Sequence, residues 1–289
     1  MSDTSPPSDD GPAPDSASAH AAPSPQANPH DPGAPVDDDP TRMTLGEHLN
    51  ELRGCLLRSG LVFLALFILA MVFQDTIGRF MQVPWERTRA SLMESGSPDP
   101  GRLAFISPAE GVLFSLKAAM AVALLVGGPF FLWEVWRFVG AGLTVPERSA
   151  VRRIFPAAVA LFLGGLAFAW GVMVPFGLPF LLSWLGDLAV ANITLAEYWG
   201  FLTTLGLVLG LIFELPVIMW LVVRAGFIDA AILSSSRRVA ILVLLVLAAL
   251  LTPPDPLTQV LVAGPAILLY EIGLLLARRA EAARERALL

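Results

Sequence analysis

The sequence predicts an all-α membrane protein: six transmembrane helices in a concave bundle, a small outer cap, two short final helices, and both termini in the cytoplasm. Three observations carry this expectation. The 289-residue chain is 55% hydrophobic and only 15% charged, against about 45–50% and about 25% in ordinary soluble domains. Its apolar residues gather in runs of about 20, the length that crosses a hydrocarbon core of about 30 Å in helical form. Its arginines gather in alternate connections between those runs. Such a composition excludes a typical soluble enzyme, a nucleic-acid binder and a disordered scaffold. Cys55, the single cysteine, excludes a disulfide framework. Three histidines (His20, His30 and His48) beside one cysteine offer no metal centre, so no metal and no cofactor are expected.

Residues 1–42 hold eight Asp and one Arg, whereas the remainder holds 18 Lys or Arg and 17 Asp or Glu. The acidity therefore belongs to the tail. Rich in Pro, Ala, Ser and Asp, that tail cannot bury enough surface to offset the entropy of ordering, and disorder is expected there. It lacks the basic start and apolar stretch of a secretory signal and the arginines of a transit peptide. A membrane domain is then expected over 43–279, with a cytoplasmic tail over 280–289.

The elements follow in order. Thr44 and Glu47 fit a capping box that opens a helix. Apolar runs mark spans at roughly 55–74, 113–139, 154–175, 198–223, 239–253 and 257–276. The fifth is short, with about 14 residues, or about 21 Å of helix, between Arg238 and Pro253. TPPDP at 252–256 forces a turn after it. A hairpin that thins the bilayer is favoured there over a re-entrant pair, because Arg237 and Arg238 match Arg278 and Arg279 as anchors.

Orientation follows from the bias of Lys and Arg toward the cytoplasm. Arg42, Arg53 and Arg58 precede or open the first span; Arg148, Arg152 and Arg153 follow the second. Arg224, Arg237 and Arg238 follow the fourth, and Arg278, Arg279, Arg284 and Arg286 end the chain. The connections near 176–197 and 254–256 hold neither Lys nor Arg. The long connection 75–112, with Trp85 and an SPDPG turn, is expected to form the outer cap. No internal repeat recurs, which counts against a transporter built on inverted repeats.

Candidate functional residues are polar groups in apolar surroundings. In HLNELR, residues 48–53, Leu45, Leu49, Leu52 and Leu56 form one stripe. His48, Glu51 and Cys55 lie along a neighbouring face. Two readings stand: an interfacial helix start, or a cytoplasmic carboxylate at Glu51 left free for a cationic partner. Glu147 is a second carboxylate, with Arg148, Arg152 and Arg153 close enough to neutralise it. Glu134 and Arg137 read as an interfacial ion pair, Glu271 as a partner of Arg278, and Lys117 as a snorkelling cation. Glu214 lies well inside the fourth run, where charge is expensive and marks function. Gly206 and Gly210 share its face and permit close helix approach. Thr258 or Gln259 could partner the carboxyl, or it could be protonated. Pro216 should kink the helix just beyond.

Six motifs run in order: HLNELR at 48–53; Ser107-Pro108-Ala109-Glu110 with Lys117; VWRF followed by Glu147-Arg148; Phe213-Glu214-Leu215-Pro216; LLTPPD at 250–255 with Gln259; and Tyr270-Glu271-Ile272-Gly273. Together they resemble the TatC family, the multi-spanning signal-receptor subunit of the twin-arginine protein translocase, over about 43–279. The chain departs from that pattern at Gly140-Ala141-Gly142, where a Pro is common, at Val112, where an aromatic is common, and in its acidic tail.

The resemblance implies a receptor for twin-arginine signal peptides of folded cargo, in the bacterial cytoplasmic (inner) membrane. It implies that Glu51 and Glu147, with His48 and Arg53 in the same motif region, meet the paired arginines. It also implies that Glu214, with Gln259, Asp255 and Thr258, forms an intramembrane polar site for TatA-like and TatB-like single-span subunits in an oligomeric complex. Transport would draw on the proton-motive force. No GxxxxGK[ST] phosphate loop is present, in keeping with a machine that has no ATPase of its own. The competing reading is a proton-coupled transporter with Glu214 as relay. It would need further titratable groups in line within the membrane.

Overall fold

A computed structural model of the chain describes residues 45–141, 145–183, 193–251 and 256–288. The acidic tail, Thr44 and Asp255 therefore lie outside the described residues. In chain order the helices are α1 (Leu45–Val72), α2 (Gln74–Glu94), α3 (Pro108–Ala141), α4 (Val145–Phe168), α5 (Val174–Ser183), α6 (Leu195–Phe213), α7 (Leu215–Arg224), α8 (Ala230–Ser235), α9 (Arg237–Leu251) and α10 (Pro256–Leu288). A π-helical turn, Ala169–Met173, joins α4 to α5. Pro175 lies just after it and has no N–H to continue the regular ladder; a widened turn is one way a helix accommodates such a break. Among the described residues the only extended pairing is a parallel bridge between Ala104 and Thr194.

Five stretches are long and apolar enough to cross a membrane: Gly46–Val72, Ala109–Ala141, Arg152–Ser183, Leu195–Arg224 and Pro256–Arg286. Two of them join shorter helices through a local break. The fifth expected span is the one missing from this set: it corresponds to α9, whose 15 residues reach only about 22 Å. Its shortness follows directly from Arg237 at one end and the proline pair after Leu251 at the other.

The first long connection holds more regular structure than its sequence suggests. It contains α2, a 21-residue helix with Pro84 inside it. Trp85 of α2 is buried and meets Tyr198 of α6 edge-on, with ring centres 5.6 Å apart. The Tyr198 hydroxyl donates to the Met81 carbonyl at 2.9 Å. The chain after α2 is fastened as well: Ala104 N donates to Ile193 O at 3.2 Å, and Leu195 N donates to Ala104 O at 3.1 Å. Thr194 then caps α6 in a reciprocal capping box with Glu197. The connection expected as a cap is thus tied to the start of α6.

The core centres on α6. Leu195, Tyr198, Trp199, Leu202, Leu205, Gly206, Leu209, Gly210 and Ile212 are all buried along it. Against α4 the backbones come very close: a Cβ on Gly165 would lie 2.6 Å from the Leu209 carbonyl oxygen and 2.8 Å from Gly210 Cα. The Phe162 ring fills the space over Gly128 and Gly210. Helices in lipid gain little from hiding apolar surface, so such small-residue contacts supply the packing. The helix α1 is the opposite case. It leans on α3 and leaves Leu49, Leu56, Leu61 and Val72 exposed.

The boundary expected after Arg279 is not a structural break. The helix α10 runs through it to Leu288. Ala277 and Ala280 are buried with Val223 and Ala230, and the Glu281 carboxylate accepts the Ala230 N–H at 3.0 Å.

Candidate functional site

Two polar regions stand out against this apolar frame. The first joins the start of α1 to the end of α3. His48 stacks on Phe138, with ring centres 4.4 Å apart. One turn further, Glu51 contacts two guanidinium groups through Oε1: Arg58 Nη2 at 3.5 Å and Arg137 Nη2 at 3.3 Å. Behind them lies Glu134, only 3% exposed. Arg58 Nε donates to both Glu134 oxygens at 3.2 Å, and Arg58 Nη2 and Arg137 Nη2 each lie 3.1 Å from Glu134 Oε2. Buried Cys55 sits beneath, its thiol 3.6 Å from the Glu134 carbonyl oxygen.

This arrangement corrects one expectation. Glu51 is not a free carboxylate, because two arginines of its own chain already touch it. Arg58 reaches it from two helical turns on along the same face. Arg137 reaches it only because α3 lies alongside α1. The expected pair Glu134–Arg137 is present, but as one edge of a four-member cluster. Arg53 is exposed. Glu147 falls in the first turn of α4, and its side chain lies outside the described residues.

The second region surrounds Glu214. The helix breaks there: Glu214 closes α6 and precedes α7, with φ −75° and ψ −13°. Pro216 in the first turn of α7 has no N–H to donate backward, so the ladder is interrupted as expected. The Glu214 carbonyl instead accepts from Val217 at 3.0 Å and Ile218 at 2.9 Å. Its side chain is 2% exposed, and neither carboxyl oxygen has a hydrogen-bond partner among the described residues.

The expected partners of that carboxyl are elsewhere. Gln259 donates to the Leu245 carbonyl at 3.4 Å. The Thr258 methyl lies against Gly177. The Glu214 break instead faces Gly273, where a Cβ would come within 3.0 Å of Pro216 Cα. Fifteen residues of α10, about 22 Å of helix, separate Gly273 from Thr258. Glu271 likewise pairs with Arg237 of α9 at 2.6 Å, not with Arg278, whose guanidinium donates to Ser234 Oγ at 3.0 Å. Lys117 is exposed on α3. Among the described residues no group of three His, Cys, Asp or Glu side chains could hold a metal ion.

Known proteins share this architecture. The family described as Sec-independent protein translocase protein (TatC) matches residues 47–265. The chain belongs to the TatC family. It is similar to the Sec-independent protein translocase protein TatC of Carboxydothermus hydrogenoformans, 32% identical over 244 residues, which cover 84% of this chain and 95% of the relative. It is similar also to TatCy of Bacillus subtilis, 32% identical over 240 residues, 83% of this chain and 90% of the relative. A crystal structure described as the twin arginine translocase receptor TatC superposes with a TM-score of 0.69 at 30% identity, covering 81% of this chain and 99% of that one. The protein is accordingly a multi-pass membrane protein of the twin-arginine transport class.

Sequence reasoning passes over two residues of this TatC family member. It takes Arg58 only as a topology signal, and Glu134 only as half of a local pair. The spacing of seven between Glu51 and Arg58 is a usable signal. The contact between Arg58 and Glu134 is not, since it depends on which helix lies beside α1.

Proposed function

We propose that the protein is the receptor for twin-arginine signal peptides and the core subunit of a translocase that exports folded proteins across the bacterial cytoplasmic membrane, using the proton-motive force. The observation that supports this most is the environment of Glu51. A part-exposed carboxylate at one end of the helices already contacts two guanidinium groups, so the position suits that planar, multi-donor cation. Glu147 follows shortly after the end of α3, the end that His48 and Phe138 join to α1. In this reading Glu51 and Glu147 together meet the arginine pair, with His48 and Arg53 at the border of the site and both termini in the cytoplasm.

Glu214 has a separate part. A buried carboxyl without a hydrogen-bond partner is costly, and it suits a polar group brought by another helix. TatA-like and TatB-like single-span subunits are the proposed source, with Asp255 and Gln259 on the docking surface and Thr258 buried beside Gly177.

The test is site-specific crosslinking of a signal peptide to membranes that contain the protein, comparing Arg-Arg with Lys-Lys peptides. Strong Arg-Arg crosslinks, lost with Lys-Lys and lost again in Glu51→Gln and Glu147→Gln, are expected. Equal crosslinking in every arm rejects the receptor reading.

A further inference from the structure

Within the four-charge cluster of Glu51, Arg58, Glu134 and Arg137, the two carboxylates share the arginines unequally. Glu134 holds both arginines tightly, with Arg58 Nε on both of its oxygens at 3.2 Å and both Nη2 atoms at 3.1 Å. It is itself 3% exposed. Glu51 is 31% exposed and holds the same two guanidinium groups more loosely, at 3.3 and 3.5 Å. Those contacts are end-on: each arginine approaches Glu51 with its Nη2 atom, and both converge on Oε1. Arg137 Nε is buried with no hydrogen-bond partner among the described residues, so its Nε–Nη2 edge is not used on Glu51. A carboxylate engaged end-on is a poorer match for guanidinium than one engaged by two parallel N–H donors.

We infer that Arg58 and Arg137 are internal occupants of the Glu51 site, which an incoming guanidinium group displaces, while Glu134 keeps them charged, paired and in place. The inference rests on the receptor reading above. In the empty protein Glu51 is not left as a bare carboxylate at the membrane surface. When a peptide arginine arrives, it takes Glu51 with two N–H donors. The internal arginines lose only their weaker contacts and stay on the buried carboxylate. After the exchange each guanidinium still touches a carboxylate, and the one excess positive charge falls on Arg58 and Arg137, which are 42% and 36% exposed, so that solvent screens it. Glu134 and Arg137 are thus positioning residues: they touch no peptide, yet they set how strongly one is held.

The signs of the expected effects are opposite for neighbouring residues. Removing an internal competitor strengthens capture. Removing Glu134 leaves Glu51 as the remaining carboxylate of the cluster for two arginines, and so weakens capture. Partly exposed ion pairs of this kind contribute little each, so each change should be roughly three- to fivefold.

The experiment measures photo-crosslinking of an Arg-Arg signal peptide as a function of peptide concentration. It uses the full chain in membrane vesicles, normalised to folded protein. The variants are Arg137→Gln, Arg58→Gln, Glu134→Gln and Glu51→Gln. Arg152→Gln, an exposed charge early in α4, controls for simple loss of positive potential. Half-saturation should fall roughly three- to fivefold in Arg137→Gln or Arg58→Gln, rise by a similar factor in Glu134→Gln, and stay unchanged in Arg152→Gln. The inference is overturned if wild-type capture depends on Glu51 but neither arginine variant captures more strongly. It is overturned equally if Arg152→Gln gains as much as they do. If wild-type capture does not depend on Glu51 at all, the receptor reading fails first, and the two failures are thereby told apart.

Discussion

Gly165 of α4 and Gly210 of α6 meet backbone to backbone: a Cβ on Gly165 would stand 2.8 Å from Gly210 Cα and 2.6 Å from the neighbouring Leu209 carbonyl oxygen. No rotamer relieves such a clash, because the obstructing atoms are main chain. Gly165→Ala should therefore push the two helices apart and cost about 1–3 kcal/mol. Gly164→Ala is the matched control, since its Cβ would meet only the Phe213 ring, at 3.7 Å. Thermal melting of the two variants in one detergent should show a clear drop for the first and little change for the second.

Glu134 is the anchor of the charged cluster, and its loss should be felt in stability as well as in binding. Glu134→Leu leaves Arg58 and Arg137 without their closest carboxylate. Breaking a fully buried pair costs about 3–5 kcal/mol. Both arginines here are more than a third exposed, so screening reduces the expected loss to about 1–3 kcal/mol. A melting point equal to that of the wild type would show that Glu134 contributes nothing to the α1–α3 contact.

Glu214 should separate binding from transport. Glu214→Ala removes a carboxyl that has no hydrogen-bond partner among the described residues, so the helices have no bond to lose. Capture of a twin-arginine peptide should persist, while export of a twin-arginine reporter falls sharply. Parallel loss of capture and export would mean that Glu214 serves the receptor site itself.

The cap carries a pH-dependent contact outside the membrane spans. Asp99 accepts Arg89 Nε at 2.6 Å and Nη2 at 2.5 Å, and it also accepts the Gly101 N–H at 2.9 Å. Those bonds, the Arg89 one foremost, lower its pKa from 3.8 to about 2. A carboxyl with a depressed folded pKa stabilises at pH above its ordinary value and loses that contribution as pH falls through the folded one. The cap should thus loosen between about pH 4 and pH 2. Amide exchange over residues 86–101 reads this directly, and Asp99→Asn should remove that pH dependence.

Relations within one helix are legible in the sequence. Glu134 and Arg137 are three apart, so their pairing follows from helical geometry alone. Glu214 stands out because a charge within an apolar run is rare whatever surrounds it. The π-helical turn at Ala169–Met173 is not legible, because nothing in the apolar periodicity marks a widened turn. The Glu214 partners are misassigned by sequence for a related reason. Polarity identifies Thr258 and Gln259 as candidates, but only the packing shows that Gly273 is the part of α10 opposite the break.

By itself, then, the sequence determined the class, the membrane-length helices, the family and the solitary position of Glu214. Each of these is encoded in composition, run length and ordered motifs. The tertiary structure alone decided that Arg58 binds Glu134 across 76 positions, that Tyr198 holds the Met81 carbonyl across 117, and that Arg237 pairs with Glu271. A helix that is apolar on every side carries no stripe to say which face meets a neighbour. In lipid that choice falls to close packing and to the few polar groups that must find one another.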